Sequence, residues 1–236
     1  MGGQGSGWFA WAGHVPRVKR DSITVPKYNP KAHTNYEAHY VNKKYSEDEY
    51  GTISEYTAIN GLYGGINQAL RRGDDTNIML NRNIKNMRSA MAKTPVEKDV
   101  IVYRGVPDRI AQKAINAGKF HDEGFQSTSA EFDVASDHFA APRALRDDSK
   151  YINFFRIVAK KGEPHIYSDS HGESEFILPG GRFRVKQVVL TPVVNLGGHP
   201  VMSYGKTNRI IELERITKSA TPRPRTQSGT KVRRDY

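Results

Sequence analysis

The chain has 236 residues, and its 36 Lys and Arg against 25 Asp and Glu give a formal net charge of +11. It contains no cysteine, which excludes a disulfide scaffold, a zinc ribbon, a thiol nucleophile and a thiolate-ligated cluster. No stretch approaches the roughly 18 apolar residues of a membrane span. The aromatic cluster at residues 8–12 is too short for a classical signal peptide, and its basic residues follow it instead of preceding it. We therefore expect a globular protein with no membrane partner.

The positive charge is unevenly distributed. Residues 217–236 contain six basic residues against one acidic residue, in a stretch rich in Ser, Thr and Pro. This composition predicts a disordered basic tail at 217–236 that holds nearly half of the net charge. The tail leaves open a contact with nucleic acid or a ribonucleoprotein. At the other end, Gly and Pro without sustained periodicity predict a flexible arm over residues 1–35.

Apolar residues at helical spacing run from residue 36 to residue 91. Ser46 and Glu49 form a capping-box pair ahead of one helix, and a second helix is expected to stop at Gly73. Asp75 or Thr76 is expected to cap a third helix. The apolar stripe of that helix, which we assign to the core, consists of Met79, Leu80, Ile84, Met87 and Met91.

From residue 99 onward, runs of β-branched and aromatic residues predict strands. These runs lie at residues 99–105, 125–129, 151–159, 174–178, 183–194 and 209–216. Two helices interrupt them, one from Pro107 to Ala117 and one capped by Asp133 that ends at Ala140. Helices first and strands second indicate an α+β fold over a domain at residues 36–216.

Three short polar segments lie at predicted strand ends. They are Tyr103-Arg104-Gly105, Ser127-Thr128-Ser129 and Glu173-Ser174-Glu175. In a strand, residues two apart point to the same face, so Glu173 and Glu175 are expected to present two carboxylates together while Ser174 faces away. Such a pair can divide the work of stabilising positive charge and accepting a proton.

Arg104 and Ser127 extend this chemistry. Arg104 offers a planar donor fork suited to a phosphate or pyrophosphate, and the Ser127 hydroxyl can hold a carboxylate in place. A phosphate anchor, a hydroxyl and two carboxylates together indicate a site for a phosphorylated glycoside, whose cleavage has an oxocarbenium-like transition state.

The order Arg, Ser-Thr-Ser, Glu-x-Glu, followed by Phe-Ile-Leu-Pro at residues 176–179, strongly resembles the R-S-E class of mono-ADP-ribosyltransferases. That class includes binary actin-modifying toxins and phage-encoded exoenzymes. The resemblance runs from about residue 45 to residue 194 and includes a helical segment with Tyr56, Asn67 and Arg71. It implies N-terminal helices packed on a mixed two-sheet β-core, and NAD as the substrate that donates ADP-ribose.

The resemblance also implies roles for single residues. Arg104 would bind the phosphates of NAD, Ser127 would orient Glu175, and Glu175 would stabilise the oxocarbenium ion as nicotinamide leaves. Glu at position 173, instead of Gln, implies transfer to arginine, with Glu173 deprotonating or orienting the acceptor guanidinium. The other residues implied to line the NAD pocket are Tyr56, Asn67, Arg71, Gly105, Thr128, Phe139 and Arg143.

Some assignments stay open on the sequence alone. Arg143 and Arg146 both match a second arginine of the family pattern. His171 either replaces an aromatic residue that family members carry before the first Glu or is a solvated loop histidine. The irregular spacing of His165, His171 and Glu173 argues against a metal, so no metal site is predicted.

The acceptor and the setting are also open. The leading hypothesis is a monomeric enzyme that modifies a protein acceptor in the cytoplasm of a host or target cell. The alternatives are the same fold acting on nucleic acid or mainly on water, as an NAD glycohydrolase, and a basic phage structural or binding protein with a degenerate transferase fold. A chain that starts at its own Met, with no translocation domain attached, favours a phage-encoded enzyme over a toxin delivered by a secretion machine.

Overall fold

The computed structural model describes residues 17–20, 23–58, 61–169, 172–196, 199–202 and 205–216. Its helices are α1 (Tyr36–Val41), α2 (Glu47–Thr57), α3 (Tyr63–Arg72), α4 (Ile78–Lys93), α5 (Asp108–Ala117), α6 (Phe132–Val134) and α7 (Ala141–Arg146), with a 3-10 turn at Pro30–Ala32 and a π-helix at Ala135–Ala140. Its strands are β1 (Arg17–Arg20), β2 (Ile23–Val25), β3 (Val100–Gly105), β4 (Lys119–Asp122), β5 (Gln126–Ser129), β6 (Tyr151–Ala159), β7 (Ile166–Ser168), β8 (Glu175–Leu178), β9 (Gly181–Thr191), β10 (Val193–Leu196), β11 (His199–Met202) and β12 (Thr207–Arg215). Within these ranges, no helix has the length and apolar character needed to cross a membrane.

Two sheets form the β-core. Among the described residues, the larger sheet has nine strands in the order β1-β9-β12-β6-β3-β5-β8-β7, with β4 beside β9, and the smaller has the order β11-β10-β2. Pairing is mixed, since β12 runs parallel to β6 and antiparallel to β9. Helices α1 to α4 precede most of this core in the chain, so the expected α+β class with two sheets is confirmed.

The helical layer packs on the part of the large sheet formed by β5, β7 and β8. One buried apolar cluster joins the helices to these strands and includes Ile53, Ile66, Met87, Ile166 and Ile177. Burying a side chain of this size stabilises the fold by about 1.5–3 kcal/mol. The cluster therefore holds α2 and α3 against β7, β8 and Phe125, which directly precedes the strand with the Ser-Thr-Ser segment.

Local signals predicted two helix ends correctly. Ser46 and Glu49 make the reciprocal capping box that starts α2, and Gly73, with φ of +65°, ends α3 in the left-handed conformation. The cap predicted for α4 is wrong, because the Asn77 side chain accepts from the Leu80 N–H at its first turn.

The residues just before α4 explain that error. Thr76 donates through both its N–H and its hydroxyl to Asp74, so it belongs to a turn that precedes the helix. Met79 of the predicted core stripe is 64% exposed, whereas Ile84, Met87 and Met91 are buried as expected.

The helix predicted from Asp133 to Ala140 is longer and starts earlier. Glu131 is its N-cap, and the π-helix at Ala135–Ala140 joins α6 to α7, which ends at Arg146. A π-segment widens the helix locally and breaks the 3.6-residue repeat on which the sequence prediction rests.

The flexible arm predicted for residues 1–35 is wrong for its described part. Strand β1 pairs in parallel with β9, and β2 pairs in parallel with β10. Tyr28 packs against Tyr167 and Phe176 at ring-centroid distances of 6.3 and 6.0 Å. Strands of three or four residues whose partners lie more than 160 residues away leave no local periodicity, so the sequence gives no sign of them. Residues 1–16 and the predicted tail at 217–236 lie outside the described residues.

Candidate active site

Sheet topology brings the three polar segments together. Arg104 lies on β3, Ser127 on β5 and Glu175 at the start of β8, and these strands are neighbours in the large sheet. Strand β3 pairs with β5 only at Tyr103 opposite Ser129, whereas β5 pairs with β8 over four positions. The three segments, predicted separately from strand ends, therefore meet around β5.

Glu175 is the most perturbed carboxylate of this group. Its pKa is raised to about 7, because burial and, to a smaller extent, the nearby negative charge of Glu173 outweigh the opposing effect of a hydrogen bond with Ser127. Glu175 pairs with Ser129 across the strands, and Ser127 lies two residues before Ser129 on β5. A carboxylate with a pKa near neutrality is typical of sites that bind charge or transfer protons during a reaction.

Tyr56 and Asn67 connect the helices to this carboxylate. Asn67 Nδ2 donates to the Tyr56 hydroxyl at 3.0 Å, and the Tyr56 hydroxyl also hydrogen-bonds with Ser127. Asn67 Oδ1 accepts from the Phe125 N–H at 2.7 Å. Both ends of the Asn67 amide are thus used within the protein, which gives it a positioning role between α3 and β5. Its contact with NAD, like that of Tyr56, stays a prediction.

The hydroxyls of Thr128 and Ser129 bind the backbone of the glutamate segment. Thr128 Oγ1 donates to the Phe176 carbonyl, and Ser129 Oγ donates to the Glu173 carbonyl, each at 2.7 Å. Both residues are buried. These bonds fix β5 to the glutamate segment, while a contact between Thr128 and NAD stays a prediction.

The strand predicted at Glu173-Ser174-Glu175 is corrected by the structure. Strand β8 begins at Glu175, and Ser174 has φ of +42°, in the left-handed region. The two glutamates are therefore related by a turn and not by the two-residue repeat of a strand. They remain close enough for the charge of Glu173 to act on Glu175.

A cavity of about 510 Å³ includes Arg104 of β3 in its lining. Its lining residues are Arg71, Arg104, Gly105, Val106, Pro107, Arg109, Ile110, Phe120, His121, Asp122, Glu123 and Arg143. Ser127, Glu175 and Phe139 do not line it, and Phe139 is 37% exposed on the π-helix. Arg104 relates the cavity to the carboxylates through the sheet, because β5 alone separates β3 from β8.

Arg104 is held by a residue that sequence reasoning missed. Its Nη1 donates to Gln126 Oε1 at 2.5 Å, and Gln126 Nε2 donates to the Gly124 carbonyl at 2.6 Å. Gln126 is fully buried. Burial lowers the pKa of Arg104, and the charge of Asp122 opposes this. A Gln on a short strand, at a position where an apolar side chain is expected, is the signal that points to this role.

Arg71 is paired with a carboxylate. Its Nε and Nη2 donate to the two Asp122 oxygens at 2.7 and 2.9 Å. Burial opposes ionisation of Asp122, but hydrogen bonds from Arg71, Gln126 and the Gly124 N–H together hold its pKa below the usual value. A Cβ at Gly124 would lie 3.0 Å from Arg71 Nη2, so glycine allows this close packing.

The structure separates the two candidate arginines that follow Phe139. Arg143 lines the cavity and donates from Nη1 to the Gly105 carbonyl at 3.0 Å, whereas Arg146 is exposed and does not line it. A Cβ at Gly105 would lie 2.7 Å from the Ala140 backbone nitrogen. Glycine at 105 therefore allows the π-helix to approach β3 and to bring Arg143 to the cavity.

The histidines considered for a metal lie elsewhere or outside the described residues. His165 is buried, and its Nδ1 is 2.6 Å from the Thr94 carbonyl. His171 lies outside the described residues. In the ranges the structure covers, no three His, Asp or Glu side chains are grouped as metal ligands.

Comparisons with known proteins agree with this architecture. Residues 31–217 match the family model described as ADP-ribosyltransferase exoenzyme, while no curated protein matches the chain. The fold is similar to that of the enzymatic component C2-I of the C2 toxin from Clostridium botulinum, with a TM-score of 0.56 and 18% identity over 80% of this chain and 49% of that chain. The chain thus spans about half the length of C2-I.

Two further solved structures were determined with dinucleotides. C3stau2 from S. aureus, solved with NAD, has a TM-score of 0.56 and 15% identity over 85% of this chain and all of that chain. Exoenzyme S from Pseudomonas aeruginosa, solved with human 14-3-3 protein beta and carba-NAD, has a TM-score of 0.52 and 21% identity over 75% of this chain and 78% of that chain. At these identities the likeness is one of fold.

Proposed function

The chain belongs to the ADP-ribosyltransferase exoenzyme family, and on that premise we propose that it cleaves the nicotinamide–ribose bond of NAD and transfers ADP-ribose to an arginine of an acceptor protein. The observation that carries the proposal is the carboxylate of Glu175, whose pKa is raised to about 7, in the same sheet as Arg104, which lines a cavity and is separated from β8 by one strand. A carboxylate held near a phosphate anchor suits a substrate that carries a pyrophosphate and a cationic glycosidic bond.

The charge of the cavity supports binding of a dinucleotide. Its lining has four arginines against Asp122 and Glu123, a formal charge of +2, which complements the two negative charges of a pyrophosphate. Its volume of about 510 Å³ lies in the usual range for small-molecule sites. Within the described part of the chain, Arg104 donates to the neutral Gln126 amide and Arg143 to the Gly105 carbonyl. Their charges are therefore available for phosphate oxygens.

Glu175 would act on the ribose end of the substrate. Ser127 holds its carboxylate beside the Tyr56 hydroxyl. As the glycosidic bond breaks, its electron pair leaves with nicotinamide, which becomes neutral, and positive charge develops on the ribose. An ionised Glu175 stabilises that oxocarbenium-like transition state.

Glu173 would act on the acceptor. A guanidinium nitrogen that bonds to the ribose carbon must lose one proton, and the Glu173 carboxylate can take it. The products are then ADP-ribosyl-arginine, nicotinamide and a proton. The preference for arginine rests on the resemblance, in which Glu at this position accompanies arginine transfer.

The most direct test incubates the purified protein with labelled NAD and a cell lysate, followed by mass spectrometry of whichever molecule gains the label. We expect ADP-ribose on arginine side chains of a protein. Label on nucleic acid, or free ADP-ribose alone, would contradict the arginine acceptor and favour nucleic-acid modification or NAD glycohydrolase activity.

Two variants test the division of work between the glutamates. Glu175→Gln is expected to lower both NAD cleavage and transfer by about a thousandfold, as loss of a transition-state contact does. Glu173→Gln is expected to retain slow NAD hydrolysis and to lose transfer by about a hundredfold. Glu47→Gln, at the exposed start of α2, is the matched control. Equal losses of both activities in the two variants would contradict the assigned roles.

The proposal also covers the cellular location of the reaction and the role of residues 217–236. We place the reaction in the cytoplasm of a target cell, with a monomeric catalytic domain formed by residues 36–216 together with the strands β1 and β2 that pair with it, and with residues 217–236 as a docking tail. Deleting residues 217–236 is expected to leave NAD hydrolysis unchanged. If the deletion lowers transfer, the tail contributes to acceptor binding; unchanged labelling of a protein acceptor would argue against a nucleic-acid substrate.

A further inference from the structure

The turn between the two glutamates contains an unusual backbone conformation. Ser174 is a non-glycine residue with φ of +42°, and its side chain is fully buried. Residues with a Cβ disfavour the left-handed region unless the surrounding structure holds them there. Some contact must therefore keep Ser174 in this conformation.

A short segment after the Ser-Thr-Ser strand supplies these contacts. Ser129 Oγ donates to the Glu173 carbonyl at 2.7 Å, and the Ala130 N–H donates to the Ser174 carbonyl at 3.1 Å. Ser174 Oγ in turn donates to Glu131 Oε1 at 2.5 Å. Three consecutive residues thus hold two consecutive residues of the turn.

Two further hydrogen bonds complete the arrangement. The Glu131 N–H donates to Ser129 Oγ at 3.0 Å, and the Ser174 N–H donates to Asp169 Oδ1 at 3.2 Å. The Ser174 hydroxyl has two side-chain partners, the Glu131 carboxylate, which accepts from it, and the Tyr167 hydroxyl. Glu131 is the charged partner, and it belongs to the same three-residue segment that holds the turn through Ser129 and Ala130.

We propose that Glu131 is a positioning residue, which holds Ser174 in the left-handed conformation and thereby sets Glu173 relative to Glu175. The inference rests on the proposed function, because it assigns Glu131 an effect on transfer. Glu175 is fixed by the β5–β8 ladder, whereas Glu173 precedes the strand. Release of Ser174 should therefore displace Glu173 more than Glu175, and transfer should suffer more than NAD hydrolysis.

The test compares the ratio of transfer to NAD hydrolysis in a set of full-length variants. Glu131→Ala removes the acceptor and is expected to lower the ratio about tenfold, with KM for NAD changed less than threefold. Glu131→Gln keeps an oxygen that can accept from Ser174 and is expected to stay within threefold of the wild type. Asp133→Ala, an exposed acidic residue two positions on, is the matched control and should match the wild type.

Glycine at position 174 provides the decisive comparison, because it adopts positive φ without a holding contact. Ser174→Gly is expected to keep the ratio within threefold, and adding Glu131→Ala to it should cause no further loss. Equal, additive losses in the two backgrounds would overturn the proposal. So would parallel losses of hydrolysis and transfer in Glu131→Ala together with a lower unfolding midpoint, since those indicate a structural role only.

A crystal structure of Glu131→Ala separates this inference from the proposed function. We expect residue 174 to leave the left-handed region in that variant and to retain positive φ in Ser174→Gly. Retention of φ near +42° in Glu131→Ala would overturn the inference even if the enzyme transfers ADP-ribose. Absence of both NAD activities in the wild type would overturn the proposed function and the assigned effect on transfer, while the structure would still report whether Glu131 holds the turn.

Discussion

The arginine-lined cavity and the turn at residues 173–175 differ in how their charged side chains are paired. Arg104 is bound by the neutral amide of Gln126, Arg143 by a backbone carbonyl and Arg71 by the Asp122 carboxylate. Three of the four arginines that line the cavity therefore have a fixed partner before any substrate arrives. Glu175 has instead a hydroxyl partner and a second carboxylate nearby, and its pKa is raised to about 7.

This difference matches two kinds of work in catalysis. A preorganised cationic cavity binds a phosphate group equally in the ground state and the transition state, which lowers KM. A half-buried carboxylate without a counter-ion is stabilised most when positive charge develops beside it in the transition state, which raises kcat. The two regions should therefore be separable by kinetics.

Arg104 gives the largest expected effect on the binding side. Arg104→Ala should lower kcat/KM for NAD hydrolysis by about a hundredfold, because a charged hydrogen bond contributes roughly 1.5–3 kcal/mol. Most of the loss should appear in KM. Lys113→Ala, on the exposed face of α5, is the control. A loss confined to kcat would show that Arg104 acts in the transition state, as Glu175 does, and would contradict the division between binding in the cavity and catalysis at the carboxylate.

Substitutions at Gln126 change the hydrogen-bond partner of Arg104 and leave the Arg104 side chain itself unaltered. Gln126→Glu places a carboxylate against Arg104 Nη1 and should raise KM for NAD about tenfold, since the pair would compete with phosphate for the guanidinium. Gln126→Met removes the bond without adding charge and should raise KM by less. The measurement is KM for NAD in both variants, with the unfolding midpoint of each to detect a loss of stability. A larger effect from Met than from Glu would show that orientation matters more than charge.

The features predicted correctly from the sequence are those with local causes. The capping box of Ser46 and Glu49 and the stop at Gly73 depend on residues within one helical turn. The sequence also places Arg104, Ser127 and Glu175 in segments at predicted strand ends, and these residues lie on the neighbouring strands β3, β5 and β8, while their roles stay a prediction.

The features that the sequence did not reveal depend on distant partners. The left-handed Ser174 is held by Glu131, 43 positions earlier, and β1 and β2 form only against β9 and β10. Gln126 acts on a residue 22 positions away. No periodic pattern or turn signal reports such contacts, because each residue is ordinary in its own local context.

The pH dependence of NAD hydrolysis should report the carboxylate side alone. With the pKa of Glu175 raised to about 7, its carboxylate is mostly protonated below pH 7. We therefore expect kcat/KM to rise with pH, by about tenfold per pH unit at most, and to level off above pH 7. Glu173→Gln removes a like charge that raises this pKa, so its profile should shift to lower pH. An unchanged midpoint in that variant would mean that Glu173 does not act on Glu175.

The smallest expected effect is a gain in stability when the catalytic carboxylate is removed. The folded-state pKa of Glu175, about 7, lies above its ordinary value of 4.5, so the folded protein binds this proton more tightly than the unfolded chain. This contribution is present at low pH and is lost as pH rises from about 4.5 to 7. A neutral amide at this position would resemble the protonated carboxyl, so Glu175→Gln should be more stable than the wild type at pH 8, by about 1 kcal/mol, and nearly equal to it at pH 4. Urea unfolding at both pH values measures the difference. A variant less stable than the wild type at pH 8 would contradict this prediction, because it would show that the protein already stabilises the ionised Glu175 carboxylate in the absence of substrate.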